Sequence, residues 1–163
     1  MTPATTTQIV TGRLPSELVD SSSFLLKRLG MLAKERAFAA YEAAGFTPYQ
    51  HAALLVLDEG ARETQGEIAD VLGYDRGQLV GILDELEERG LIERKRDPND
   101  RRRHVVTMTP AGRRALTKLR ALSQKLDDSY LAPLSDEDRE TLHALLLRLA
   151  EVHEPRCAPP IVT

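Results

Sequence analysis

The sequence predicts a mainly α fold with one small β-hairpin, in which a central helix-turn-helix and wing are flanked by longer helices. Three observations predict it. Apolar residues recur at helical spacing along most of the chain, in segments bounded by capping residues, glycines and prolines. Two short helical segments, TQGEIADVL and DRGQLVGILDELEER, follow one another in the centre, stopped by Gly73 and Gly90 respectively. Directly behind them, residues 91–109 read LIERKRDPNDRRRHVVTMT, two β-prone runs around the turn signal Asp97-Pro98-Asn99-Asp100.

Residues 1–15 read as a disordered tail. Their opening, MTPATTTQIVTGR, has neither the basic start nor the apolar stretch of a signal peptide. Over 16–44, Leu18, Leu25, Leu29 and Leu32 fall at helical spacing, so one long helix ending near Gly45 is expected. Thr47-Pro48 is an N-cap with a first-turn proline, opening a helix through Ala52, Leu55 and Val56 to about Glu59. Thr64 with Glu67, and Asp75 with Gln78, predict capping boxes for the two central helices. Thr109-Pro110 starts a helix to about Ser129, with Leu116, Leu119, Leu122 and Leu126 on one stripe. Pro133 breaks it, and Ser135 caps a last helix bearing Leu142, Leu145, Leu146, Leu149 and Val152. Pro155, Pro159 and Pro160 end regular structure, leaving 155–163 as a second tail.

The expected organisation is therefore an N-terminal dimerisation helix (16–46), a winged lobe (47–109, wing 91–109) and C-terminal dimerisation helices (110–154). The leucine stripes of the flanking helices are wider than a small central lobe needs to bury, which predicts a homodimer. The other reading is that they close a monomeric bundle.

Composition sets the class. At 163 residues, 42% hydrophobic and 29% charged, the chain is long enough for one domain with a real core, and is globular rather than disordered. Aromatic residues are scarce and Trp is absent, so the core must be aliphatic. The single Cys157 cannot form an intrachain disulfide, which suits a reducing compartment. No apolar run has the length of a membrane span. A cytoplasmic protein without a membrane partner is expected.

Charge is distributed unevenly. The net charge is −3, yet Arg94, Lys95, Arg96 and Arg101, Arg102, Arg103 bracket one turn. Such crowding is costly through self-repulsion unless the partner is a polyanion. The helix before it has a matching polarity. Leu79, Ile82, Leu83 and Leu86 share one face, and Gly77, Gly81, Asp84 and Glu88 lie opposite. Glycine in a helix interior costs about 1 kcal/mol against alanine, so a bare face suggests close approach of another body. Arg76, Gln78 and Val80 flank that strip, and these side chains can meet guanine, adenine and a thymine methyl. The acids Asp84, Glu85, Glu87 and Glu88 occupy the C-terminal half, so only the N-terminal end can enter a groove between phosphates.

Together these features resemble the winged helix-turn-helix of the multiple-antibiotic-resistance regulator (MarR) family. That family's pattern of Leu-Glu-x-x-Gly-Leu-Ile-x-Arg, a turn, Asp-x-Arg, then Leu-Thr-x-x-Gly falls on Leu86-Glu87, Gly90-Leu91-Ile92, Arg94, Asp100, Arg102, Thr109 and Gly112. Met108 replaces the usual Leu. The resemblance implies a homodimer on double-stranded DNA, each subunit placing one helix in the major groove and its wing tip in the adjacent minor groove. Arg102 would enter that groove, oriented by Asp100, with Arg101, Arg103 and Arg94 as supporting contacts. Thr64 and Gln65 are phosphate-binding candidates at a helix N-terminus. Family recognition helices often carry Ser, Thr and a basic residue where this one has Gly77, Gln78, Val80 and Gly81, a departure that leaves the fold intact while the resemblance does not carry over the base sequence read. The implied function is a ligand-responsive repressor on a pseudo-palindromic operator; the alternative is a winged-helix protein-interaction or dimerisation scaffold without an operator.

The resemblance also implies an effector, a small aromatic or lipophilic acid bound where dimer helices meet the DNA-binding lobe. By position, Lys27, Arg28, Tyr49 and His51 are the polar lining. The urate-responsive branch uses a Trp that this chain lacks. No cofactor or metal is expected, although some family members bind zinc: His51, His104, His143 and His153 are scattered, and Pro155 separates His153 from Cys157. The peroxide-sensing branch has its reactive Cys near the N-terminus, whereas Cys157 lies in a proline-rich tail and reads as an inert thiol. Asp136, Glu137, Asp138 and Glu140 open a helix and favour its dipole rather than forming a catalytic pair. With no Ser-His-Asp set, phosphate loop or dinucleotide fingerprint, the chain is not expected to be an enzyme.

Overall fold

The computed structural model describes residues 12–60 and 64–157. The elements in order are α1 (Ser16–Val19), α2 (Ser22–Ala43), α3 (Pro48–Glu59), α4 (Gln65–Leu72), α5 (Arg76–Glu88), β1 (Ile92–Arg96), β2 (His104–Met108), α6 (Pro110–Tyr130) and α7 (Asp136–His153), followed by a 3-10 turn over Pro155–Cys157. The chain divides into two compact units, one ending at Arg36 within α2 and one beginning at Ala37.

In the first unit the single helix expected over 16–44 is broken in two. The Ser21 hydroxyl accepts the Phe24 N–H at 3.3 Å and so starts a new helix. The cause is the run Asp20-Ser21-Ser22-Ser23, whose short polar side chains compete with the helix for its own backbone groups. Of the expected N-terminal tail, residues 1–11 lie outside the described residues. Leu25, Leu26, Leu29 and Leu32 of α2 are all exposed.

The second unit holds the core. Thr47 and Gln50 form a full capping box on α3, and Thr64 and Glu67 form one on α4. Asp75 accepts the Gln78 N–H at 3.0 Å, and the reciprocal bond of a full box is not made among the described residues, so the exposed Gln78 side chain is left out of the cap. Leu79, Leu83 and Leu86 of α5 are fully buried against Leu54, Ile68, Ile92, Val106, Leu116 and Leu119. On α3 the buried face is Gln50, His51, Ala53, Leu54 and Val56, with Ala52 and Leu55 half-buried. No residue of α7 is buried, and Leu145, Leu146, Leu149 and Val152 face outward. The C-terminal tail expected from residue 155 begins with a 3-10 turn, and residues 158–163 lie outside the described residues.

The hairpin is antiparallel, in register from Ile92 opposite Met108 to Arg96 opposite His104. Ile92, Val106 and Met108 point inward and hold its base to the core. Beyond this ladder, Thr64 bridges Val105, so β2 is joined by backbone to the capping residue of α4.

Candidate nucleic-acid interface

The α5 helix exposes Arg76, Gly77, Gln78, Val80 and Gly81 on its N-terminal half. Asp75 caps the first turn by accepting the Gln78 N–H. A β-carbon added at Gly81 would meet nothing within 4 Å, and one at Gly77 would meet only the Asp75 carboxylate at 3.2 Å. Neither glycine is required by packing. The bare strip anticipated from the sequence is present.

The wing loop differs in one respect from its turn signal. The hydrogen-bonded turn lies over Asp100–Arg103, where the Arg103 N–H donates to the Asp100 carbonyl at 2.9 Å, and not over Asp97–Asp100. Asp97 instead uses its carboxylate to accept the Asn99 N–H at 2.8 Å, a local turn that competes with the backbone one. Arg101 and Arg102 therefore occupy the centre of the turn. Asp100 Oδ1 accepts the Arg102 backbone N–H at 3.0 Å, whereas its contact with the Arg102 Nε is a long 3.5 Å. Asp100 thus shapes the loop more than it aims the Arg102 side chain, which is 93% exposed.

Between wing and α4 lies a cleft of about 390 Å³ lined by Thr64, Gln65, Arg76, Arg102, Arg103 and His104, among others. The fold thus brings together residues from three elements that the sequence singled out separately. Thr64 has less to offer an anion than expected, because Glu67 accepts both its N–H at 3.1 Å and its hydroxyl at 2.7 Å. Glu67 also stands 3.8 Å from Arg103. His104 was missed as a site residue; only its place at the first position of β2, beside the arginines, could have signalled it.

Residues 44–103 match the MarR family model. A curated relative from Thauera aromatica, described as a transcriptional regulatory protein for the hcr operon, is 36% identical over 144 residues, covering 87% of this chain and 84% of the relative. The chain belongs to the MarR family. Among solved structures, the transcriptional repressor CouR bound to a 23-mer DNA duplex has a TM-score of 0.75 at 33% identity, covering 85% of this chain and 99% of that one. CouR from Rhodococcus jostii RHA1 bound to p-coumaroyl-CoA has a TM-score of 0.67 at 31% identity, covering 82% and 94%. The MarR family is one of transcriptional regulators, and this member is a winged-helix regulator.

One motif residue of this MarR-family chain departs from expectation. Arg94, anticipated among the DNA contacts, is turned inward with its side chain 18% exposed. Its Nη2 lies 2.6 Å from both Asp84 Oδ1 and Glu87 Oε2, its Nε donates to Glu87 Oε2 at 3.0 Å, and its Nη1 reaches Gln65 Oε1 at 3.4 Å. The Arg94 backbone N–H also donates to Glu87 Oε1 at 3.0 Å. Hydrogen bonding from Arg94 holds the Glu87 carboxyl below its ordinary range, against a smaller opposing effect of desolvation. A third acid of α5, Glu85, accepts Gln50 Nε2 of α3 at 2.7 Å. Three of the four helix acids are therefore tethers, a role that the sequence pattern does not distinguish from a solvated face.

The residues assigned to an effector divide between the units. Lys27 and Arg28 are exposed on α2 in the first unit. In the second, the Tyr49 ring makes edge contacts with Phe38 and Tyr74, each at a centroid distance of 5.4 Å. His51 is buried, with Nδ1 2.5 Å from the Tyr41 hydroxyl. Its Nε2 is buried without a hydrogen-bond partner among the described residues. Burial, then the nearby Arg120 charge, push the His51 pKa down. Among the described residues, no three His, Cys, Asp or Glu side chains are arranged to hold a metal, and no helix is long and apolar enough to cross a membrane.

Proposed function

We propose that this regulator is a homodimeric repressor that acts in the cytoplasm on a two-fold operator, with half-sites about one helical turn apart. The observation that carries the reading is the wing tip. Arg101 and Arg102 sit at the centre of an exposed turn that shares a cleft with Arg76 of α5 and the start of α4. A helix end with a bare glycine strip and a cationic tip suit a major groove and its neighbouring minor groove. Arg102 is the groove contact in this reading; Arg101, Arg103 and the start of α4 at Thr64 and Gln65 meet phosphates, and Arg76, Gln78 and Val80 read bases. A second copy covers the outward leucines of the flanking helices, which then serve as dimerisation segments around a lobe spanning 47–109.

The CouR complex with p-coumaroyl-CoA supports an aromatic or lipophilic acid derivative as effector. Tyr49 and His51 are the lining we retain for it. In the tautomer that accepts the Tyr41 hydroxyl proton at Nδ1, the buried Nε2 carries a proton and lacks an acceptor among the described residues, which a carboxylate or carbonyl oxygen of a ligand would supply. Such a ligand releases DNA only by favouring the incompetent arrangement of the dimer.

The test is selection of bound sequences from random duplex DNA, followed by measurement of affinity against salt. We expect an enriched palindrome, an affinity that falls steeply with salt, and severe weakening by Arg102→Ala with the dimer intact. No enriched palindrome, or salt-independent binding, would return the chain to the scaffold reading.

A further inference from the structure

We infer that Arg94 is a positioning residue, not a DNA contact, and that it fixes the angle at which α5 is presented relative to the wing. The inference rests on the reading of the lobe as a DNA reader. Its basis is convergence. One guanidinium on β1 is bonded to Asp84 and Glu87 on α5 and makes a longer, 3.4 Å contact to Gln65 at the start of α4. β1 carries the wing, so this one side chain ties together the wing, α4 and α5, from which the candidate DNA contacts project.

The geometry is also directional. Glu87 uses one carboxylate oxygen for the Arg94 backbone N–H and the other for the guanidinium, so it grips β1 at both main chain and side chain. A fork held by two carboxylates is set in one rotamer, with its Nε and Nη2 donors all engaged. On the opposite flank, Glu85 bonded to Gln50 holds the same helix to α3. The C-terminal half of α5 is thereby clamped from two sides, while its N-terminal half stays bare.

The two roles give opposite signs for one substitution. If Arg94 and its acids act only as charges beside DNA, removing an acid lowers repulsion and strengthens binding. If they form a positioning clamp, removing an acid weakens binding. The test compares Glu87→Gln, Asp84→Ala, Arg94→Ala and the Glu87→Gln/Arg94→Ala double variant. Each is measured on the selected operator and on random duplex across a salt series, with dimer state and thermal unfolding recorded.

We expect Glu87→Gln and Arg94→Ala each to weaken operator binding on the order of ten-fold, the equivalent of one charge-assisted hydrogen bond. Random-duplex binding and the salt slope should stay near those of the parent protein, because no phosphate contact is lost. The double variant should be no worse than either single one. Asp84, 57% exposed, is the more exposed of the two acids, and Asp84→Ala should weaken operator binding in the same direction, with its thermal unfolding separating any loss of stability. Acid variants that bind as tightly as the parent or tighter would overturn the inference. So would an Arg94→Ala protein that loses operator and random binding equally, with a salt slope shallower by about one. A parent protein with no operator preference would instead sink the DNA-reading assignment itself.

Discussion

Gly112 lies directly against the carbonyl of Leu91: a β-carbon at Gly112 would overlap that oxygen and stand 2.6 Å from Met108 Cγ. The same carbonyl accepts the Thr109 N–H at 3.0 Å, and the Thr109 hydroxyl donates to the Gly90 carbonyl at 2.7 Å while accepting the Gly112 N–H at 3.1 Å. The Thr-x-x-Gly spacing is thus the joint that locks the start of α6 onto the base of the wing. Gly112→Ala should destabilise the protein by about 1–3 kcal/mol, the usual cost of overpacking a tight contact. Denaturant unfolding at fixed protein concentration measures it. An unchanged midpoint would mean that the joint opens at little cost.

Gly81 has the opposite character. An added methyl there meets open space, and alanine is the better helix former by about 1 kcal/mol. Gly81→Ala should therefore raise the melting temperature and, on the proposed reading, weaken operator binding by keeping the helix backbone away from the bases. Thermal unfolding and operator titration on the same sample test both halves. A variant that is more stable and binds normally would remove Gly81 from the interface.

His51 should make stability depend on pH. Its folded pKa lies below the ordinary value of 6.5, so the unfolded chain takes up a proton more readily than the native one. The contribution is fully present above 6.5 and is lost as pH falls below that value towards the depressed folded one. The groups nearest in charge and bonding are Tyr41 and Arg120, the latter paired with Asp58 at 2.6 Å. Asparagine can accept the Tyr41 hydroxyl but cannot titrate. Unfolding midpoints measured between about pH 5 and 7 should fall with acidity in the parent and be flatter in His51→Asn. Parallel curves for the two proteins would refute the assignment.

Much of this architecture is written in local residue choices. Thr47, Thr64, Asp75, Thr109 and Ser135 each cap the helix that follows them, because a hydroxyl or carboxylate satisfies an otherwise orphaned N–H. The buried stripe of α5 follows from period alone. What local choice did not reveal is which of two competing turns the wing adopts, since Asp97 and Asp100 can each fold the loop. Nor did it separate Arg94 from Arg101 and Arg102. Adjacent arginines look alike until the fold turns one towards Glu87 and leaves the others outside. The break at Ser21 was legible as a run of capping residues, but the leucine period across it spoke louder.

The bridge between Thr64 and Val105 has an evolutionary consequence. Because the wing is stitched by main chain to the helix that precedes the reading helix, side-chain changes on the surface of the lobe can alter which bases are preferred without loosening that seam. On the proposed reading, new operators are reached by changing the outer residues of the lobe, while the distance between half-sites is left to the segments that join two copies.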